Sequence, residues 1–365
     1  MTALKTLITT EIETSGPLPV SRYMQLCLNH PEHGYYMKAD PLGLNGDFTT
    51  APEISQLFGE LIGAWLVEVW RQLGCPNPCS LVELGPGRGT LMADILRIAE
   101  LDQHFMRAVT VHLVETSQVL RTKQSETLKS LGVTPAHHAA LDTLPNGPAL
   151  FVANEFFDAL PTNQWVRTQR GWNARKIGLD KAGDMVFGVD PTPLPAPKPI
   201  HEVSPGTILE HSPPQDAVMR RLAEHIIDHG GAGLIIDYGA LESGTGDTLQ
   251  AVRAHQKTDP LANIGEADLT THIDFAHMVR LAEEADVQTI GLAEQGRFLL
   301  DLGLLQRAGM LGANSAPDEQ EAISLAVERL AGDTAMGKLF KVFGFASMPI
   351  PLPSLAPITV QKETA

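Results

Sequence analysis

The stretch Leu81–Thr90, LVELGPGRGT, constrains this chain more than any other. An apolar run ends in an acid, three alternating glycines follow, and a helical pattern, TLMADILRIAEL, comes directly after. A strand that turns into a helix through Gly85, Gly87 and Gly89 predicts a doubly wound α/β sheet with its ligand at the carboxyl ends of the strands. Glycines there allow positive backbone angles and a close approach of backbone to ligand.

The rest of the pattern agrees. AVTVHLVET reads as strand two, and the helix SQVLRTKQSETLKSLG follows it. A weak third strand is expected near Val133, a fourth in PALFVAN, a fifth in AGLIIDYG and a closing strand in LFKVFGFAS. Apolar runs with little alternation, separated by helices, indicate a mostly parallel sheet covered on both faces. Residues 1–74 read as a helical region, broken by the Gly-, Pro- and Asp-rich loop HPEHGYYMKADPLGLNGDFTTAPE, with a helix resuming at Ile54. Residues 75–346 form the ligand-binding domain, with insertions at about 161–210 and 239–271, and 347–365 is a tail. The first insertion holds strand-like pieces (QWVRT, ARKIGL, DMVFGV) and a proline-rich spacer, DPTPLPAPKP. Helices are expected from His272 to Ala331.

A chain of 365 residues can bury a sizeable core. Its formal net charge of −16 argues against nucleic acid or an anionic membrane surface as partner. Cys27, Cys75 and Cys79 cannot build a disulfide framework, so a reducing compartment is expected. No second ligand pair accompanies CPNPC, or His30 and His33, so no metal is expected. The opening MTALKTLITTEIETSG resembles neither a secretory signal nor a typical transit peptide, and no apolar run reaches membrane-spanning length. These features lead to the expectation of a cytoplasmic protein.

Glu83 indicates what the turn binds. A carboxylate there repels a pyrophosphate and attracts an ammonium or sulfonium, and S-adenosylmethionine carries both cations and no phosphate. The third glycine also stands one position too early for the dinucleotide fingerprint, whose last position is Thr90 here. Glu115, at the end of strand two, suits the two ribose hydroxyls of any adenosine ligand, though an acid capping the next helix would look the same. Asp142, after the third strand, is the candidate for the adenine amine. Arg88 finds no role.

ANEFFDALP follows strand four, so Asn154, Glu155 and Asp158 emerge at the ligand edge, with Asn154 a candidate for both cofactor and substrate. Asp237 ends strand five, and Asp47 lies in the N-terminal loop. Several acids near a cationic cofactor suit a cationic substrate. Paired carboxylates can clamp a guanidinium and localise its charge away from the attacking nitrogen. Helix N-terminal acids and strand-end caps are the structural alternatives for Glu155 and Asp237.

GDFTTAPEISQLFGELIGAW, VELGPGRGTLMADILR, VANEFFDALPTNQ, IIDYG with GDTLQAVRAHQ, and GEADLTTHIDF, in that order, resemble the MidA-like methyltransferase family. This is the family of the mitochondrial complex I assembly factor that methylates an arginine. The similarity runs from about Pro17 to Ala346. It implies a class I (Rossmann-like) methyltransferase fold that uses S-adenosyl-L-methionine. It also implies symmetric dimethylation of an arginine in the 49 kDa-type subunit of NADH:ubiquinone oxidoreductase, aiding assembly. Gly85, Gly87 and Gly89 match the family's cofactor loop and Glu115 its ribose acid. One departure is Glu294-Gln295-Gly296, where TQG is expected. A protein substrate, no nucleic acid and no membrane insertion follow, with room for a homodimer. An NAD-dependent oxidoreductase and a non-catalytic assembly chaperone that retains the pocket are the alternative readings.

Overall fold

The six residues of Cys79–Leu84 and the six of Ala149–Asn154 are buried without exception, because strands covered on both faces need not alternate. The computed structural model describes residues 2–38, 50–195, 203–352 and 354–355. The chain divides into two compact units, one of Met1–Phe48, Phe157–Ala217 and Glu242–Ile273, the other of Thr49–Phe156, Val218–Leu241 and Asp274–Ala365.

The second unit is built on a sheet whose main path consists of β1 (Cys79–Leu84), β2 (Val109–Val114), β3 (Ala136–His138), β4 (Ala149–Asn154), β5 (Gly231–Ala240), β6 (Gln288–Glu294) and β7 (Phe340–Ala346). Their order across the sheet is β3-β2-β1-β4-β5-β7-β6. The pairs β1–β2, β2–β3, β1–β4 and β4–β5 are parallel. β7 runs antiparallel to both of its neighbours, β5 and β6. The strand order reverses between β1 and β4, and their carboxyl ends bound the crevice where ligands bind in such sheets. The expected class I methyltransferase fold is therefore the observed one.

Helix α1 (Gln56–Gln72) starts at Ser55, whose hydroxyl accepts the Leu57 N–H at 3.3 Å. It buries Leu61, Trp65 and Val69 in the same core as Leu91, Ile95 and Leu96 of α2 (Thr90–Ala99). Trp65 stacks edge-on against Phe298 with ring centroids 6.5 Å apart. Helix α3 (Gln118–Lys129) begins at Ser117, whose side chain caps Leu120 N–H.

In the first unit, strands Asn163–Thr168, Gly171–Leu179 and Met185–Leu194 form an antiparallel meander, joined by Ile208–His211 on one side. Leu18 and Pro19 pair with Ile177 and Lys176 of that meander. The helices Ala3–Ser15 and Val20–Asn29 bury Leu4, Ile8, Tyr23 and Met24 together with Ile177 and Leu269. A smaller sheet joins Gln250–Arg253, Gln256–Thr258 and Asp268–Thr270.

Several expectations change. The N-terminal residues group with both insertions, while 49–74 groups with the sheet, so the compact units are not the contiguous segments read from sequence. The third strand falls at Ala136–His138 rather than near Val133. Strand β6 interrupts the expected run of helices, because the antiparallel edge of β7 binds it. A short helix, Tyr35–Lys38, occupies part of the expected loop. The strand Met185–Leu194 runs into the proline-rich link instead of stopping before it.

Candidate active site

Glu83 sits one residue before the end of β1 and is 3% exposed. Its carboxyl accepts the backbone N–H of Met92 in α2, and burial, partly offset by that bond, pushes its pKa up to about 8. Its Oε2 has no hydrogen-bond partner. Next comes Gly85, whose N–H donates to Val114 O at 3.0 Å. It has φ +62, and a Cβ there would lie 2.8 Å from Phe156 Cδ2, so no other residue fits. Gly87 has φ 52, and Gly89 caps α2 at φ 82. A Cβ on Gly89 would approach Gln124 Cα to 3.3 Å. The turn is thus a backbone feature held tightly between β1, β4 and α3.

Glu115 follows β2, its N–H donating to His138 O at 2.9 Å, and its Oε1 accepts the Ser117 N–H at 2.8 Å. Burial raises its pKa, and the N–H groups of Ser117 and Thr116 oppose the rise. Asp142 lies on the short 3-10 turn Leu141–Thr143, its carboxylate exposed and paired with Arg221 Nε at 2.5 Å. Its side chain therefore faces a surface cation in this structure.

Asn154 ends β4. It is 8% exposed, donates from Nδ2 to Glu155 Oε1 at 3.1 Å, and leaves Oδ1 without a partner. Glu155 takes φ 50, a left-handed conformation that costs a non-glycine residue energy and is tolerated mainly where a site requires it. Its N–H donates to Ile236 O at 2.9 Å, and its Oε1 also accepts the Ala51 N–H at 3.0 Å. Glu155 is thus an N-terminal acid, but for the distant helix Ala51–Ile54 rather than for the residues that follow it. That helix also brings Glu53 to the glycine turn. Glu53 Oε1 accepts the Thr90 hydroxyl at 2.5 Å, and Oε2 lies 3.6 Å from Arg88 Nη1. Arg88 is therefore an ion-pair partner that ties helix Ala51–Ile54 to the turn. Asp237 is fully buried on β5, and its Oδ1 accepts the Tyr238 N–H at 2.9 Å.

Asp158 belongs to the other unit, where it is 4% exposed and its carbonyl accepts the Thr271 N–H at 3.0 Å. Beside it, the Tyr36 hydroxyl donates to Asp268 Oδ1 at 2.8 Å. Burial first, then the charges of Asp268 and Asp158, push the Tyr36 pKa well above that of an ordinary tyrosine. Asp47 lies outside the described residues. The sequence reading missed Glu53, Tyr36 and Asp268. The available signals were that Glu53 falls inside the GDFTTAPEISQLFGELIGAW motif and Asp268 inside GEADLTTHIDF.

The acceptors fit S-adenosyl-L-methionine. Glu83 Oε2 and Asn154 Oδ1 are buried oxygens on adjacent strands, each short of a donor, and an ammonium has three to offer. A pyrophosphate would add charge of the wrong sign.

Residues 61–293 match a family model described as "Putative S-adenosyl-L-methionine-dependent methyltransferase". The "Protein arginine methyltransferase NDUFAF7 homolog, mitochondrial" of Drosophila melanogaster is 37% identical, over 91% of this chain and 82% of the relative. "Protein arginine methyltransferase NDUFAF7, mitochondrial" of Homo sapiens is 33% identical, over 91% and 81%. A crystal structure of a Burkholderia thailandensis protein bound to S-adenosyl-homocysteine superposes with a TM-score of 0.83 at 26% identity, covering 96% of this chain and 94% of that one. The expectation of a cytoplasmic protein is overturned by the curated relatives, which are named mitochondrial. No helix of the described residues is long and apolar enough to cross a membrane. With its sheet order, its glycine turn and these relatives, the chain belongs to the MidA-like family of S-adenosyl-L-methionine-dependent methyltransferases.

Proposed function

We propose that this enzyme dimethylates an arginine of the 49 kDa-type subunit of respiratory complex I and so aids its assembly. The arginine specificity is supported by the relatives, which are named protein arginine methyltransferases, and the subunit by the family resemblance. The observation that carries the reading is the pair of buried Asn154 and strained, partly buried Glu155 at the carboxyl end of β4, with the unpartnered oxygen of Glu83 on the adjacent strand.

When bound, S-adenosylmethionine supplies an electrophilic methyl group on a sulfonium, which becomes a neutral thioether on transfer. The chain's own residues bind and orient. Glu83 and Asn154 Oδ1 take the ammonium, Glu115 takes the ribose hydroxyls, and the turn Gly85–Gly89 lets the backbone approach. Asp142 stays in the reading as an adenine contact only if its pairing with Arg221 opens. Glu155 orients the guanidinium through charge-assisted hydrogen bonds and receives the proton that the methylated nitrogen loses. Asp237, on β5, adds negative charge, and Asp158, three residues after Glu155 in the sequence, is the further acid that the motif ANEFFDALP suggests. Positioning of this kind is the main requirement of an in-line displacement.

The test uses cells lacking this protein, complemented with wild type, Glu155→Gln or Asp158→Asn. Mass spectrometry of the 49 kDa-type subunit should find dimethylarginine only with the wild type. Methylation by both variants would remove the acids from the mechanism. Normal assembly with an unmethylated subunit would favour the chaperone reading.

A further inference from the structure

Gln124 is a polar residue in an apolar position. It lies on the face of α3 that also buries Leu120 and Leu128, and it is fully buried. Such a side chain is tolerated only when its polar atoms are satisfied. Its Nε2 donates to Gly87 O at 2.8 Å and to Glu115 Oε2 at 3.4 Å, and its Oε1 faces His137 Nε2 at 3.0 Å. The amide can point only one way, because the reverse orientation would set its oxygen against a carbonyl and a carboxylate. His137 must then carry its proton on Nε2. From the same helix, the Thr127 hydroxyl donates to Arg88 O at 2.9 Å, so α3 holds two consecutive carbonyls of the glycine turn.

We propose that Gln124 is the positioning residue that couples the glycine turn to the ribose acid, and that His137 sets its orientation. The inference rests on the reading of Glu115 as the ribose acid. Glu115 Oε1 accepts the Ser117 N–H and Oε2 the Gln124 amide, the Thr116 N–H also donates to the carboxyl, and a lone pair is left for a ribose hydroxyl. Without the amide, the carboxylate can rotate and the turn carbonyl at Gly87 loses its anchor. Ribose recognition should suffer more than any other part of cofactor binding.

The experiment compares, by calorimetry on the full chain, S-adenosyl-homocysteine with its 2′,3′-dideoxy analogue. Reading the ratio within each variant cancels a general loss of stability. Wild type should prefer the hydroxylated ligand by about 30-fold, the range of charge-assisted hydrogen bonds. Gln124→Met, which keeps the volume, should reduce the preference to about threefold, and His137→Ala to about tenfold, by releasing only the amide orientation. Glu115→Ala should abolish it. If Glu115→Ala retains the full preference, the ribose reading itself fails. If Glu115→Ala loses it while Gln124→Met and His137→Ala keep the wild-type ratio, the coupling through Gln124 is wrong. Should Gln124→Met not fold, the His137 variant alone decides.

Discussion

Glu83 should link cofactor binding to proton release. In the free protein burial holds its pKa near 8, against 4.5 for an ordinary glutamate. The folded chain therefore keeps this proton between those values while the unfolded chain gives it up. Stability falls as pH rises through the window, by up to about 1.4 kcal/mol per pH unit. Contact with an ammonium requires the carboxylate, so binding must expel the proton. The apparent dissociation constant then scales with one plus the ratio of protonated to ionised Glu83. Between about pH 5.5 and 7 affinity should strengthen roughly 30-fold. Titration calorimetry with S-adenosyl-homocysteine, in buffers of different ionisation enthalpy, should also find about one proton released near pH 6. Glu83→Gln should bind with no slope, roughly 30-fold weaker than wild type at pH 7, and the two curves should converge near about pH 5.5. A flat wild-type profile with no proton released would mean that Glu83 stays neutral, and the charge argument for the cofactor would collapse.

Other perturbations follow from local geometry. Gly85→Ala forces a Cβ to 2.8 Å from Phe156 at φ +62, so cofactor affinity should fall at least tenfold and stability by about 1–2 kcal/mol, read by thermal melting. Glu155→Gln should cut methyl transfer about 100-fold while leaving the S-adenosyl-homocysteine dissociation constant within threefold, since its contacts face Ala51 and Asn154. Equal losses in both would assign it to cofactor binding instead. Arg307→Ala strands Glu60, which is 3% exposed and held by two guanidinium bonds of 2.8 and 3.1 Å. Arg307 is itself partly exposed, so a loss of about 2 kcal/mol by denaturant unfolding is expected.

The legible parts of this molecule are those that physics writes locally. Unbroken apolar runs reveal parallel strands covered on both faces, and an acid marks the carboxyl end of such a run, as Glu83 and Glu115 do. The less legible parts depend on distant partners. Ala136–His138 is short and half polar, and it is a strand only because β2 offers a free edge. Strand β6 carries no strong β signal between two helical patterns, and β7 recruits it. Nothing in GPLPV says that Leu18 will pair with Ile177, which draws the N-terminal helices to the insertions. Arg88 could not be assigned without Glu53, 35 positions earlier, and Gln124 has no sequence signature at all. The departure from TQG falls on Glu294, which ends β6 opposite Lys341 of β7, while Gln295 is the expected residue, fully buried and donating to Leu330 O at 2.9 Å.

The central claim is methyl transfer to protein arginine, and one measurement addresses it directly. The purified chain is incubated with methyl-labelled S-adenosylmethionine and a lysate from cells that lack it, and the labelled proteins are hydrolysed to amino acids. The account predicts label in dimethylarginine of one discrete band, reduced about tenfold when Glu83→Gln replaces the wild type at about pH 6.5 and low cofactor. Label on another amino acid, or none from an enzyme that binds the cofactor under assembly-competent conditions, would contradict it.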